Sequence, residues 1–177
     1  MGDPHASFRV YIANQPDFPP LQPFASLTAL SPNDIYALGQ HCGNGWRKVF
    51  NVYAKLLYAL ADPRYVDKQL YSSWQAYRDN RLLQAQSGTA LLFSPVLPDE
   101  FCMPGTVHLI LGRTYAKTLY PPQQWLWLDH DFALINTGHR ADNNRVMVCP
   151  YFDYRQLSNS KIIRLVSLLQ HTLPLSP

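Results

Sequence analysis

The chain has 177 residues, of which 47% are hydrophobic and 13% aromatic, so it is long and apolar enough to fold around a core, and we expect one domain over residues 1–177. A transmembrane helix needs about 18 consecutive apolar residues, and no stretch of the sequence comes near that length. The first residues lack the basic and apolar regions of a secretory signal, so we expect none. Three cysteines without close spacing indicate no disulfide framework, which favours a reducing, cytoplasmic location.

The formal net charge of +3 is mild but unevenly distributed. Residues 1–100 contain eight Lys or Arg and eight Asp or Glu, whereas residues 101–177 contain seven Lys or Arg against four Asp. The whole excess therefore falls in the C-terminal part, which suits either a surface for an anionic ligand or an ordinary solvated face. The basic residues there are Arg113, Lys117, Arg140, Arg145, Arg155, Lys161 and Arg164.

The first half of the chain predicts one strand followed by helices. The strand alternates and is rich in β-formers, and the three prolines that follow it within residues 16–20 require an irregular turn. Ser-Pro and Asp-Pro pairs predict two helix starts, and apolar residues at helical spacing predict a long amphipathic helix. The predicted elements are a strand at 8–13, a helix from Ser31-Pro32 to about Gly39, a helix over 46–60, and a helix from Asp62-Pro63 towards Gly88.

The second half predicts short apolar strands separated by helices and by Gly or Pro turns. One strand has two possible positions, because two apolar stretches follow each other closely. The predicted elements are strands at 89–93, 106–111 and 145–149, a strand at either 125–128 or 132–135, a turn at Asn143-Asn144, and helices over 113–119 and from Ser158 or Asn159 onward.

This alternation is typical of a mostly parallel sheet covered on both faces. We therefore expect a three-layer α/β/α fold around a central, mostly parallel sheet of four to five strands. Ligands of such sheets bind beyond the carboxyl ends of the strands, and four loops would meet at one rim if their strands are parallel. These loops are Asn14-Gln15-Pro16, Ser94-Pro95, Gly112-Arg113 and Cys149-Pro150-Tyr151.

Five segments at strand ends and helix starts carry a recognisable pattern. They are 10–16 (Val-Tyr-Ile-Ala-Asn-Gln-Pro), 45–50 (Gly-Trp-Arg-Lys-Val-Phe), 91–97 (Leu-Leu-Phe-Ser-Pro-Val-Leu), 109–116 (Leu-Ile-Leu-Gly-Arg-Thr-Tyr-Ala) and 148–153 (Val-Cys-Pro-Tyr-Phe-Asp). Their order and spacing resemble the uracil-DNA glycosylase superfamily. There the first motif is a strand ending in Gly-Gln-Asp-Pro-Tyr or Gly-Ile-Asn-Pro-Gly, the third segment reads Leu-Leu-Leu-Asn-x-Val-Leu, and the last strand is followed by His-Pro-Ser. The resemblance implies a glycosylase-like α/β fold.

The resemblance assigns three candidate catalytic positions, and each holds a different residue type. The family's water-positioning Asp or Asn falls on Gln15 in one register and on Asn14 in the other, and Gln has no charge with which to act as a base. The base-reading Asn falls on Ser94, whose hydroxyl cannot make the paired contacts of an amide. The charge-stabilising His falls on Tyr151, which donates a hydrogen bond but supplies no cation at neutral pH. A degenerate active site is implied, with uracil excision lost or altered.

The same comparison implies a surface that holds a flipped base. Phe18 is a candidate for stacking on the base, while Tyr151, Arg155 and backbone N–H groups are candidates for binding an anion. Phe152 is a candidate wedge in a loop pressed against DNA, with Arg155 on a phosphate. Two carboxylates lie nearby in sequence, although neither stands at the motif position. The candidate substrate-binding residues are Asp17, Phe18, Ser94, Phe152, Asp153 and Arg155.

Other patterns predict no site. Asp129-His130-Asp131 with His139 has residue types that suit divalent metals, but the spacing matches no metal signature, so we expect a surface turn and neither a metal nor a cofactor. Adjacent side chains rarely face each other, which favours a loop over a reactive pair at His41-Cys42. Cys102 and Cys149 predict inert thiols, and Cys149, at the end of an apolar strand, predicts a core position.

The leading hypothesis is a divergent uracil-DNA glycosylase-like domain that binds a nucleobase or nucleic acid at its strand ends, with catalysis absent or altered. One alternative is a non-catalytic protein-interaction module on the same fold. Another is a small-molecule enzyme of unknown reaction, which a narrow pocket shared by Asn14, Ser94 and Tyr151 would favour. The expected partner is DNA or a nucleobase rather than a membrane, and the sequence does not indicate an oligomeric state.

Overall fold

A computed structural model describes residues 1–22, 24, 26–95, 105–137 and 145–172. These residues form one sheet of six strands and five α-helices. The strands are β1 (Phe8–Tyr11), β2 (Thr89–Leu92), β3 (Val107–Leu111), β4 (Trp125–Trp127), β5 (Ala133–Ile135) and β6 (Arg145–Cys149). The helices are α1 (Asp34–His41), α2 (Asn44–Leu60), α3 (Trp74–Asn80), α4 (Arg113–Leu119) and α5 (Asn159–Thr172).

The sheet has the strand order β2-β1-β3-β6-β5-β4. The first four strands in this order are parallel, whereas β5 is antiparallel to β6 and β4 is antiparallel to β5. The prediction of a mostly parallel sheet is therefore confirmed. Because β2, β1, β3 and β6 all run in the same direction, their carboxyl ends lie at the same end of the sheet, as the hypothesis of a shared rim requires.

The number of strands differs from the prediction of four to five, because both of the alternative stretches at 125–128 and 132–135 form strands. The turn between them explains why. Asp129 Oδ1 accepts hydrogen bonds from the backbone N–H groups of Asp131, at 2.9 Å, and Phe132, at 3.1 Å. A carboxylate that bonds the backbone two and three residues ahead reverses the chain, so the second stretch pairs with the first.

Helices cover both faces of the sheet, but unevenly. On one face, inward side chains such as Val10, Leu109 and Met147 join the core that contains α2 and α5. On the other face, residues such as Ile110 and Val148 pack with Ala116 of α4. Burial on both faces explains why the parallel strands read as continuous apolar runs rather than as alternating ones.

Two helix starts were placed too early by the sequence. The chain after Asp62 forms turns until α3, because the Asp62 carboxylate binds the backbone N–H of Arg64 at 2.9 Å and also its guanidinium, so it caps no helix. Ser73 is the actual cap, and its hydroxyl accepts from the Ala76 N–H at 3.2 Å. Likewise α1 begins at Asp34 rather than at Ser31, after Asn33 in a left-handed conformation with φ 73°.

Within the described part of the chain, no helix is both long enough and apolar enough to cross a membrane. Cys149 is fully buried, which confirms its predicted core position, and burial raises the pKa of its thiol. Cys102, His139 and the predicted turn at Asn143-Asn144 lie outside the described residues.

Candidate ligand cleft at the strand ends

A cleft of about 760 Å³ opens at the carboxyl ends of three neighbouring parallel strands, β1, β3 and β6. We call it the cleft. Each strand contributes the residues that follow it, and α4, the β4–β5 turn and the start of α5 close the sides. The strand ends supply Ala13, Asn14, Gly112, Arg113, Pro150 and Tyr151, and the sides supply Thr114, Tyr115, Thr118, His130, Asp131, Gln156 and Lys161.

Asn14 and Tyr151 come together in the cleft from opposite ends of the sequence. Both side chains line it. Burial raises the pKa of the Tyr151 phenol, its interaction with the Asn14 side chain lowers it, and the charge of Asp153 raises it, leaving it above the ordinary value. Tyr151 is therefore a neutral group at physiological pH, and the pair presents an amide and a hydroxyl to the cleft.

Two basic residues of the cleft come from the C-terminal charge excess. Lys161 Nζ donates to Asp131 Oδ1 at 2.9 Å. The Arg113 guanidinium lies 4.6 Å from the centre of the Trp127 ring and makes a cation–π interaction with it. The cleft thus carries cations from α4 and α5, and Asp131 is the acidic residue among those that line it.

The wall formed by the β4–β5 turn is attached to α5 by two ion pairs. Asp131 pairs with Lys161, and Asp129 Oδ2 accepts from Arg164 Nε at 2.9 Å. Lys161 and Arg164 are three residues apart and so lie on the same face of the helix. Each pair is partly exposed, and such pairs contribute about 0–1 kcal/mol to stability. The two ion pairs connect the β4–β5 turn to α5 at this wall of the cleft.

Gln15 and Ser94 do not join Asn14 and Tyr151. They line a separate recess of about 160 Å³, together with Phe24, Leu27 and the end of β2. We call it the recess. Asn14, Ser94 and Tyr151 therefore do not share a single narrow pocket. Such a pocket would have favoured a small-molecule enzyme.

The Pro-rich turn after β1 does not present Phe18 for stacking. Its side chain is 9% exposed and belongs to the core, with its ring 5.5 Å from that of His41 in an edge-on arrangement. The expected stacking role of Phe18 is corrected accordingly. Asp17 is exposed and lines neither the cleft nor the recess; its carboxylate accepts from Gln22 Nε2 at 3.4 Å.

The loop after β6 also differs from the expected DNA-contacting loop. Phe152 is fully buried, with its ring 5.6 Å from that of Tyr53, so it is a core residue and not an exposed wedge. Asp153 accepts from the Arg155 backbone N–H at 2.9 Å and pairs with Lys48 Nζ at 2.9 Å, and these contacts lower the pKa of its carboxyl. Arg155 is exposed and does not line the cleft.

Sequence reasoning missed most of the side walls of the cleft. Arg113 carried a signal, since it follows the Gly112 that ends a strand. Lys161 belonged to the C-terminal charge excess but was not assigned to a site, and Gln156 carried no signal, because the position of both depends on how α5 packs. Asp131 was expected to lie in a surface turn, and its place in the wall of the cleft was not foreseen. Among the described residues, no group of three His, Cys, Asp or Glu side chains is arranged to hold a metal ion.

His41 ends α1 and does not lie in the predicted loop, and the side chains of His41 and Cys42 make separate contacts. The His41 ring packs on Phe18, while Cys42 Sγ donates to the Asp17 carbonyl at 3.4 Å. Burial and the charge of Asp17 raise the pKa of Cys42, which is the opposite of what a reactive thiolate needs.

Neither the curated proteins nor the solved structures include a match to this chain. One family model does match, and the match extends over residues 1–170. This range contains all six strands of the sheet and every residue that lines the cleft. The protein therefore belongs to DUF6942, a family of unknown function.

Proposed function

We propose that this protein is a divergent uracil-DNA glycosylase-like domain that binds a nucleobase or nucleotide in the cleft, with the ordinary catalysis of that superfamily absent or altered. The observation that carries the proposal is that Asn14 and Tyr151 line the same cleft. They belong to the two segments that resemble the first and last motifs of the superfamily. The cleft volume of about 760 Å³ lies within the roughly 300–1,000 Å³ of ligand sites.

The side chains of the cleft suit the parts of a nucleotide. The Asn14 amide offers a donor and an acceptor, as the hydrogen-bonding edge of a base requires. The Tyr115 and Tyr151 rings offer faces on which a base stacks. Arg113 and Lys161 supply the positive charge that attracts a phosphate.

The same side chains are poorly suited to glycosidic bond hydrolysis. Neither Asn14 nor Tyr151 accepts a proton from water at neutral pH, so neither replaces a general base. Asp131 is engaged by Lys161 and belongs to the β4–β5 turn, not to the β1 end where the water-positioning residue of the superfamily falls. We therefore expect binding without release of uracil.

The test measures binding of uridine monophosphate and of a fluorescent, uracil-containing single-stranded oligonucleotide by the purified protein at low salt. Tyr151→Phe should weaken binding about tenfold, because it removes a hydroxyl hydrogen bond at the site, a loss of about 1.4 kcal/mol. Affinity for the oligonucleotide should fall with added salt, since phosphate contacts release counterions.

Ser94→Ala is the matched control, because Ser94 aligns with a motif position yet lines the recess. It should leave binding unchanged. Absence of binding by the wild-type protein at low salt would reject the proposal and favour the protein-interaction alternative. Release of free uracil from the oligonucleotide would show that the catalytic part of the proposal is wrong.

A further inference from the structure

A second concavity, of about 230 Å³, lies between α1, α2 and α3 and shares no lining residue with the cleft. Two arginines, Arg47 and Arg78, line it together with the amide side chains of Gln40 and Asn51, and Tyr36 stands at its exposed rim. None of its lining residues is acidic. We call it the arginine pocket.

The Arg47 side chain packs against Gly39 of α1. A Cβ atom at Gly39 would lie 2.6 Å from Arg47 Cγ, so only glycine leaves room for the Arg47 side chain to lie across α1. Glycine in a helix costs about 1 kcal/mol relative to alanine, and here the space it leaves is filled by that side chain. Among the residues that the structure describes, no carboxylate lies within 4.0 Å of the Arg47 guanidinium.

Arg78 is held in a fixed orientation. Its Nε and Nη2 donate to the two carboxylate oxygens of Asp79, at 2.7 and 3.0 Å, and its Nη1 donates to Asn51 Oδ1. Its guanidinium also lies 5.6 Å from the centre of the Trp74 ring. A guanidinium has five N–H donors, so these contacts leave two of them for a ligand at a position that is already ordered.

We propose that the arginine pocket is a second ligand site, which binds the oxyanion of a small phosphate monoester. Two guanidinium groups from different helices line this one pocket, and together they match the several oxygens of such a group. Asp79 compensates the charge of Arg78, whereas the charge of Arg47 is left for the ligand. The Tyr36 side chain, 66% exposed at the rim, gives an aromatic substituent of the ester a surface to pack against.

Calorimetric titration with phenyl phosphate, inorganic phosphate and phenol tests this assignment. Phenyl phosphate should bind more tightly than inorganic phosphate, and phenol should not bind. Arg47→Gln should weaken phenyl phosphate binding at least about tenfold without changing the melting temperature of the free protein, because glutamine keeps the Cβ and Cγ groups beside Gly39 and loses only the guanidinium of an exposed side chain. Lys117→Gln, which removes an exposed cation outside both sites, should leave the affinity unchanged.

Amide spectra locate the ligand and separate this proposal from that made for the cleft. Binding in the arginine pocket should shift the amide resonances of Gly39 and Asn51. Shifts at Gly112 and Tyr151 instead would place the phosphate in the cleft and reject a second site. Equal weakening by Arg47→Gln and Lys117→Gln would also reject it, because it would show attraction by net charge alone.

Discussion

The cleft and the recess lie on two sides of the same strand end, and they divide consecutive residues between them. Asn14 lines the cleft of about 760 Å³, while Gln15 lines the recess of about 160 Å³. The end of β6 shows a similar division, since Tyr151 lines the cleft and Phe152 is buried in the core. At both strand ends, one step along the chain therefore decides which surroundings a side chain enters.

The largest effect should come from the core side of this division. Phe152→Ala should lower the free energy of unfolding by about 3–5 kcal/mol, because it leaves a cavity beside Tyr53. Tyr151→Phe should lower it by less than about 1.5 kcal/mol, since it removes one hydrogen bond and no packing. Chemical denaturation of both variants measures the difference. Similar losses in the two variants would show that the division at β6 is wrong.

An intermediate effect concerns binding at the β1 end. Asn14→Ala should weaken the binding of uridine monophosphate about tenfold, because it removes the amide that we propose contacts the base in the cleft. Gln15→Ala is the matched control and should have no effect, because its side chain lines the recess. The reverse result would assign Gln15 to the ligand and would exchange the roles of cleft and recess.

The smallest effect concerns the loop that carries Tyr151. Contacts with Arg155 and Lys48 lower the pKa of Asp153 in the folded state, so they stabilise the protein above the ordinary pKa of an aspartate and are lost as the pH falls through the lowered value. Asp153→Asn should therefore cost less than about 1 kcal/mol at neutral pH, because the pair is partly screened by solvent.

This difference between wild type and Asp153→Asn should shrink in acid, where the wild-type carboxyl is also protonated. Urea denaturation at neutral pH and at acidic pH checks the trend. A difference that stays constant across this range would mean that the charge of Asp153 plays no part in holding the loop.

Local patterns predicted most of the fold. β6 begins and ends at the predicted residues, α2 and α4 were both predicted, and the parallel direction of the main strands follows from their alternation with helices. Asp62 shows where local rules fail, because its carboxylate has a nearby arginine as a competing partner. The extra strand was also missed, since two apolar stretches so close together form a hairpin only when a turn such as that at Asp129 joins them.

The candidate site was less accessible to sequence reasoning. Asn14 and Tyr151 are marked by the turns that end their strands, and they do meet in the cleft. Phe152 was predicted to be an exposed wedge, but it is buried. The sequence alone does not distinguish an aromatic residue exposed in a loop from one that packs in the core. Lys161 was predicted only as part of the C-terminal excess of positive charge, because its position in the cleft depends on the packing of α5 against a turn 30 residues away.

The strand order has a consequence for how the protein is made. β1 is synthesised first, yet the strands on either side of it, Thr89–Leu92 and Val107–Leu111, are synthesised much later. Helix α2 is able to form from local contacts in the meantime, whereas β1, whose four residues are all buried in the folded protein, has no strand to pair with until later. We expect this segment to be the part of the nascent chain that depends most on chaperones.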